Sequence, residues 1–230
     1  MAPRNNPDSD VTRREVSIRI EDALFHGELV EPRNALGLVL FAHGSGSSRH
    51  SPRNRYVAQV LQSRSIATLL FDLLTAEEEQ IDNQTAELRF DIPFLASRLI
   101  AATEWALHNS EIRRPRIGYF GASTGAGAAL IAAASLGDSI AAIVSRGGRP
   151  DLAGESLAAV RAPTLLIVGG EDTPVIAMNR AALQQLSSHD KRLVIVPGAT
   201  HLFEEPGTLE EVARLAADWF TKHLHAAKPS

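Results

Sequence analysis

The sequence predicts an α/β domain: an eight-stranded, mostly parallel sheet opened by an antiparallel hairpin, with helices on both faces. Three observations predict it. Six short runs rich in Val, Ile and Leu lack polar/apolar alternation, which is the pattern of strands covered on both faces. Helical stretches separate most of those runs, and two alternating runs precede them all.

Taken in order, Glu15–Ile20 places Val16, Ile18 and Ile20 on one face, Glu21-Asp22 breaks the pattern, and Leu24–Val30 returns as the second arm of a hairpin. The apolar runs follow at Leu36–Ala42, Ile66–Phe71, Arg116–Phe120, Ile140–Val144, Thr164–Val168 and Leu193–Val196. Between and after them lie helices over Arg53–Gln62, Pro93–His108, Ala126–Leu136, a weak Leu152–Val160, Val175–Leu186 and Leu209–His223. In the last, Val212, Leu215, Ala216, Trp219 and Phe220 recur at three-to-four spacing, an amphipathic face. The connection from Asp72 to Phe90 carries Glu77-Glu78-Glu79, Asp82 and Glu87. It reads as a solvated excursion, with a flap over a site as the alternative. No Pro/Gly/Ser linker divides the chain, so residues 13–226 read as one domain, flanked by a polar segment (1–12) and a short tail (227–230).

Composition narrows the function. The 230 residues are 44% apolar, enough for a sizeable core and too many for a disordered chain. With 23 Lys+Arg against 27 Asp+Glu, the surface lacks the excess of positive charge that a general nucleic-acid binder needs. The absence of cysteine removes disulfides, thiolate metal sites and a thiol nucleophile. Met1–Asp10 lacks the apolar run of a signal peptide. The apolar stretch Ala126–Leu136 is far shorter than the roughly 20 residues of a membrane span. A soluble, cytoplasmic protein with no membrane partner is the expectation, and its oligomeric state is left open.

The strongest chemical signal is Gly121-Ala122-Ser123-Thr124-Gly125, which matches G-x-S-x-G. It directly follows the buried run Arg116–Phe120 and opens a small-residue helix. A strand–serine–helix turn of this kind exposes a nucleophile, and its neighbours must be small because the turn is tight. A serine hydroxyl needs a base. Of the eight histidines, His201 lies in the loop leaving the last strand, after Pro197-Gly198-Ala199-Thr200. The imidazole in turn needs an orienting carboxylate, and Asp172, after Gly169-Gly170-Glu171, is preferred to Glu171. An N-cap role at the helix beginning near Pro174 competes for Asp172. The tetrahedral intermediate calls for two N–H donors. Thr124, the residue after the serine, supplies one, and the loop Ala42-His43-Gly44-Ser45-Gly46 supplies the other, from Ser45 or else Gly44. Gly44-x-Gly46 also begins a dinucleotide fingerprint, but Arg49 stands at the third glycine position. His43, Arg146 and Arg149 sit at strand ends facing the same site and are candidate substrate-binding residues. The arginines would meet a carboxylate or phosphate, or else pair with an acid such as Asp151.

On these residues (His43-Gly44-Ser45-Gly46, Gly121–Gly125, Gly169-x-x-Asp172 and Gly198–Phe203) the chain resembles an α/β-hydrolase, specifically the small, cap-less members of the dienelactone hydrolase family, from about Val16 to Leu224. The resemblance implies hydrolysis of esters or lactones by a nucleophile–His–Asp triad, with no cofactor and no metal. The roughly 20 residues between Val144 and Thr164 leave no room for a lid domain. Dienelactone hydrolases proper carry a cysteine in the elbow, whereas this chain has Ser123, which favours plain carboxylesterase chemistry on a small-molecule ester. A thioesterase or peptidase would use the same triad. From a different class, a non-catalytic binding protein would keep the fold without the reaction.

Overall fold

The computed structural model describes residues 11–20, 23–110, 112 and 115–225. The hairpin turn expected at Glu21-Asp22, most of the polar N-terminal segment and the tail at 227–230 lie outside those residues. The sheet has eight strands in the order β1-β2-β4-β3-β5-β6-β7-β8. Here β1 is Val11–Ile20, β2 Ala23–Pro32, β3 Leu38–Ala42, β4 Ala67–Phe71, β5 Ile117–Ala122, β6 Ile140–Arg146, β7 Thr164–Gly169 and β8 Lys191–Val196. β1 pairs antiparallel with β2, and β2 antiparallel with β4; every other neighbouring pair is parallel. Six α-helices are described: α1 Pro52–Ser63, α2 Ala76–Thr85, α3 Ile92–His108, α4 Thr124–Leu136, α5 Thr173–Gln185 and α6 Thr208–Leu224. None of the described helices is long and apolar enough to cross a membrane.

The central strands divide their side chains between two cores, as the two-residue period requires. On β3, Leu38, Leu40 and Ala42 pack with Leu99 of α3 and Leu130 of α4, while Val39 and Phe41 pack with Leu61 of α1 and Phe220 of α6. The helix sequences follow their places. α4 is made of small and apolar residues, and nine of its thirteen are buried, so it lies in the middle of its layer. α6 buries one stripe, from Val212 through Ala216, Trp219 and Phe220 to Leu224, and turns Glu210, Arg214 and Asp218 outward.

Two stretches depart from expectation. Leu152–Val160 is a 3₁₀ segment, Pro150–Ala159, kinked at Gly154. The excursion after Asp72 contains α2, a helix without an apolar stripe, followed by the 3₁₀ turn Leu88–Phe90. α2 is held by polar contacts instead. Thr75 Oγ1 accepts from Glu78 N while Glu78 Oε2 accepts from Thr75 N, a complete capping box. Glu78 Oε1 also receives Arg98 Nη2 at 2.8 Å, tying α2 to α3. Asp82, expected to be solvated, is buried, and it receives the N–H and Nε–H of Arg89 at 3.0 and 2.6 Å. Burial raises the Asp82 pKa, but these bonds from Arg89 outweigh it and hold the carboxyl below its usual range. The excursion is therefore a pinned wall over one side of the sheet edge.

Candidate active site

All the residues singled out by the sequence sit at the C-terminal edge of the parallel strands, where the crevice of an open α/β sheet forms. Ser123 follows β5 with φ 50° and ψ −122°, left-handed backbone that a non-glycine residue adopts only under constraint. Three bonds hold it there: its N–H donates to the Arg146 carbonyl at 3.2 Å, and its own carbonyl accepts from Ala126 N at 3.1 Å and Arg149 N at 3.0 Å. The next helix starts immediately, so the N–H of Thr124 has no intrahelical acceptor and sits at the positive end of the helix.

The elbow closes this tightly because Gly125 carries no side chain. A Cβ there would overlap the Ala42 and His43 carbonyl oxygens, both backbone atoms at the end of β3. Gly125→Ala is expected to cost about 3 kcal/mol or more of folding stability, since backbone must move to admit the methyl group. Urea denaturation of the variant beside the parent measures it.

Asp172 and His201 are brought together by the two loops that leave β7 and β8. Gly170 N donates to Val196 O at 2.8 Å and Glu171 N to Ala199 O at 3.0 Å, so the loops are stitched side by side. Asp172 Oδ2 lies 2.6 Å from His201 Nδ1, the shortness of a charge-assisted bond. Asp172 also occupies the N-cap position of α5, yet its side chain makes no cap bond, so the carboxylate goes to the imidazole and not to the helix. The Asp172 side chain is 13% exposed and that of His201 38%, an acid beneath a ring that reaches solvent. Gly147, at φ 51°, passes under the ring: a Cβ there would lie 3.0 Å from His201 O and 3.6 Å from its Cε1. Gly147 follows Arg146, the last residue of β6, whose carbonyl receives the Ser123 N–H, so His201 lies against the end of the strand next to the elbow's own. No side-chain hydrogen bond to Ser123 Oγ is formed among the described residues.

On the other side, the loop after β3 comes up against the nucleophile. A Cβ on Gly44 would lie 3.0 Å from Ser123 Cβ. Ser45 N donates to Thr124 Oγ1 at 2.9 Å, so the second expected donor is aimed at the elbow and is engaged there by a hydroxyl. The sequence points only to the backbone of Thr124; its side chain as an acceptor has no signature apart from being a short hydroxyl residue after the serine.

His43 and Arg149 have partners other than a substrate. Leu73 N can only donate, so His43 Nε2 accepts it at 3.1 Å, and the proton is on Nδ1, which donates to Gly44 O at 3.0 Å. His43 thereby pins the Gly44–Ser45 peptide and points the Ser45 N–H. Desolvation is the main influence on the ring and lowers its pKa below 6.5, with the Gly44 carbonyl and the charges of Asp72 and Glu79 opposing. The unfolded chain then binds more protons than the native one, so stability rises with pH up to about 6.5 and falls on acidification below it. His43→Gln should flatten this slope between about pH 5 and about pH 7 in urea titrations, relative to the parent. Arg149 forks onto Asp151, with Nη2 to Oδ2 at 2.7 Å and Nε to Oδ1 at 2.9 Å. Arg146 is different: it is 7% exposed and has no carboxylate partner among the described residues.

With the serine elbow, the Asp–His pair and the glycine-rich loop in place, comparison with known proteins decides the family. The dienelactone hydrolase family model matches residues 54–227. The chain belongs to that family. It is similar to a crystallised dienelactone hydrolase from Anabaena variabilis, with 60% identity and a TM-score of 0.92, covering 94% of this chain and all of that one. Est1E from Butyrivibrio proteoclasticus shares the fold at a TM-score of 0.76 and 16% identity, over 91% of this chain and 98% of that one. A Mycobacterium tuberculosis protein described as a putative phosphoribosyl transferase is 59% identical over 204 residues, 89% of this chain and 45% of that protein. The chain thus spans about half the length of the curated relatives it matches. The α/β-hydrolase fold expected from the sequence is the fold observed.

Proposed function

We propose that this protein is a serine hydrolase that cleaves carboxylic esters through an acyl-enzyme on Ser123. The observation that carries the reading is the 2.6 Å Asp172–His201 contact, on the same strand edge as a serine held at positive φ at the start of a helix. In this reading Ser123 Oγ attacks the ester carbonyl and transfers its proton to His201 Nε2. That nitrogen is unprotonated because Asp172 fixes the other proton on Nδ1. The new oxyanion accepts from Thr124 N and replaces Thr124 Oγ1 as the acceptor of Ser45 N. His201 then protonates the leaving alcohol, and water, deprotonated by His201, releases the acid and restores Ser123.

Family membership and the esterase-like fold support hydrolysis, and Ser123 in a chain without cysteine supports an oxygen nucleophile. The transferase description belongs to a protein of twice the matched length, and the arrangement of Ser123, His201 and Asp172 is suited to acyl transfer to water. Reaction with a fluorophosphonate probe tests the reading. One adduct per chain, mapped to Ser123 by peptide mass and absent from heat-unfolded protein, is expected; an unlabelled Ser123 in folded protein overturns it. A panel of p-nitrophenyl esters, lactones and thioesters then ranks the acyl substrates.

A further inference from the structure

Arg146 ends β6, and its carbonyl accepts the Ser123 N–H, so arginine and nucleophile are neighbours across the sheet. Alternation along β6 fixes where the side chain goes. Ile143 packs in the α3/α4 core, Ala142 and Val144 in the α1/α6 core, so Arg146 points to the α1 side of the sheet edge. There its Nε and Nη1 are buried with no hydrogen-bond partner among the described residues. The charge that acts on it is that of another arginine, Arg53, in the first turn of α1. Arg53 Nη1 bridges Glu204 at 3.1 Å, but its Nε is likewise buried and unpartnered. The backbone N–H of Arg53, second in the helix, lacks an intrahelical acceptor.

Most acids of the adjoining loops are already taken, and Glu171, the exception, is exposed and forms no ion pair with Arg146. Glu204 holds Arg53, Glu205 receives Thr200 N and Oγ1, and Asp172 holds His201. Burial, reinforced by Arg53, pushes the Arg146 pKa down to about 10, which still leaves it charged at neutral pH. A desolvated cation with no carboxylate partner among the described residues is destabilising, and a perturbed charge of this kind at a cleft marks a candidate ligand site. Guanidinium groups and a helix N-terminus together suit a carboxylate or phosphate.

We propose that Arg146, with Arg53 and the first turn of α1, forms an anion subsite beside Ser123 that receives a carboxylate or phosphate group of the substrate, so that the preferred ester is an anionic one. This rests on Ser123 being the nucleophile. It lies on the α1 side of the site, opposite the wall formed by α2.

A matched pair of esters tests it: p-nitrophenyl butyrate, and the p-nitrophenyl monoester of glutaric acid, which places a carboxylate at the end of a similar chain. Arg146→Gln is expected to lower the anionic-to-neutral ratio of kcat/KM by at least about tenfold, with most of the change in KM. Arg53→Gln, at a partly exposed position, should lower the same ratio in the same direction if Arg146→Gln fails to fold. Inorganic phosphate and succinate, added as competitors, distinguish the two anion types by which one raises KM for the anionic ester. An unchanged ratio in both variants overturns the subsite. Calorimetric titration of the parent protein with each anion reads binding without turnover, so the subsite is judged even if neither ester is hydrolysed. Binding heat lost in Arg146→Gln supports it, and no heat from either anion overturns it.

Discussion

Ser123→Ala should lower kcat for p-nitrophenyl esters by about 10⁶, with KM changed far less, and the fold should be untouched. The size follows from the role proposed for the hydroxyl: without it no acyl-enzyme would form, and His201 and the oxyanion donors would be left to assist direct attack by water. The residual rate therefore measures what His201 and those donors supply together. Structural damage is ruled out independently, because the backbone bonds of Ser123 to Arg146, Ala126 and Arg149 do not involve the side chain. Alanine at φ 50° carries a strain similar to that of serine, so the urea midpoint should stay close to the parent's. An Ser123→Ala protein that turns over esters at the parental rate would remove Ser123 from the mechanism.

Asp172→Asn should lower kcat by about 10⁴ while leaving the shape of the site nearly unchanged. At present the carboxylate accepts from Nδ1 at 2.6 Å, which leaves Nε2 free to take the serine proton. An amide in its place presents an N–H to Nδ1, and the ring responds by carrying its proton on Nε2, the wrong nitrogen for a base. Asp172→Asn therefore separates two roles that the structure superimposes at one position. If Asp172 acted chiefly as the α5 N-cap, the amide would serve nearly as well and activity would persist. The absence of a side-chain cap bond predicts the opposite. Fluorophosphonate labelling followed over time gives the same answer without a choice of substrate, since its rate depends on how readily His201 takes the proton.

These two residues also mark how far the sequence could be read. The elbow was legible because strain and crowding leave a covalent record: Ser123 stands among Gly121, Ala122 and Gly125, and Gly125 has no room for a methyl group. The strand ends were legible because parallel strands buried on both faces are written in consecutive apolar residues. α2 is not legible as a helix, because apolar periodicity is what marks a helix in sequence and α2 has almost none. A finer signal was present in Thr75-x-x-Glu78, the capping box that starts it. The burial of Asp82 had no signal at all. It depends on Arg89, seven residues on, folding back to meet the carboxylate.

The arginines make the same division sharper. Arg146 and Arg149 are three residues apart at the end of β6 and look alike in sequence, yet Arg149 is matched by Asp151 while Arg146 is buried without a carboxylate partner among the described residues. His43, expected to face a substrate, instead spends both ring nitrogens on holding the loop that carries Ser45.

By itself the sequence determined the α/β architecture, the order Ser123, Asp172, His201 along it, and the absence of a thiol nucleophile. Each is a property of residues near one another in the chain or of composition. Tertiary structure alone decided which polar atoms are satisfied: that Asp172 serves His201 and not the helix, that Thr124 Oγ1 engages Ser45 N, and that Arg146 meets no carboxylate among the described residues. Hydrogen bonds and desolvation depend on distances of a few ångströms between segments far apart in the chain, and residue order does not fix those distances until the sheet and its loops have packed.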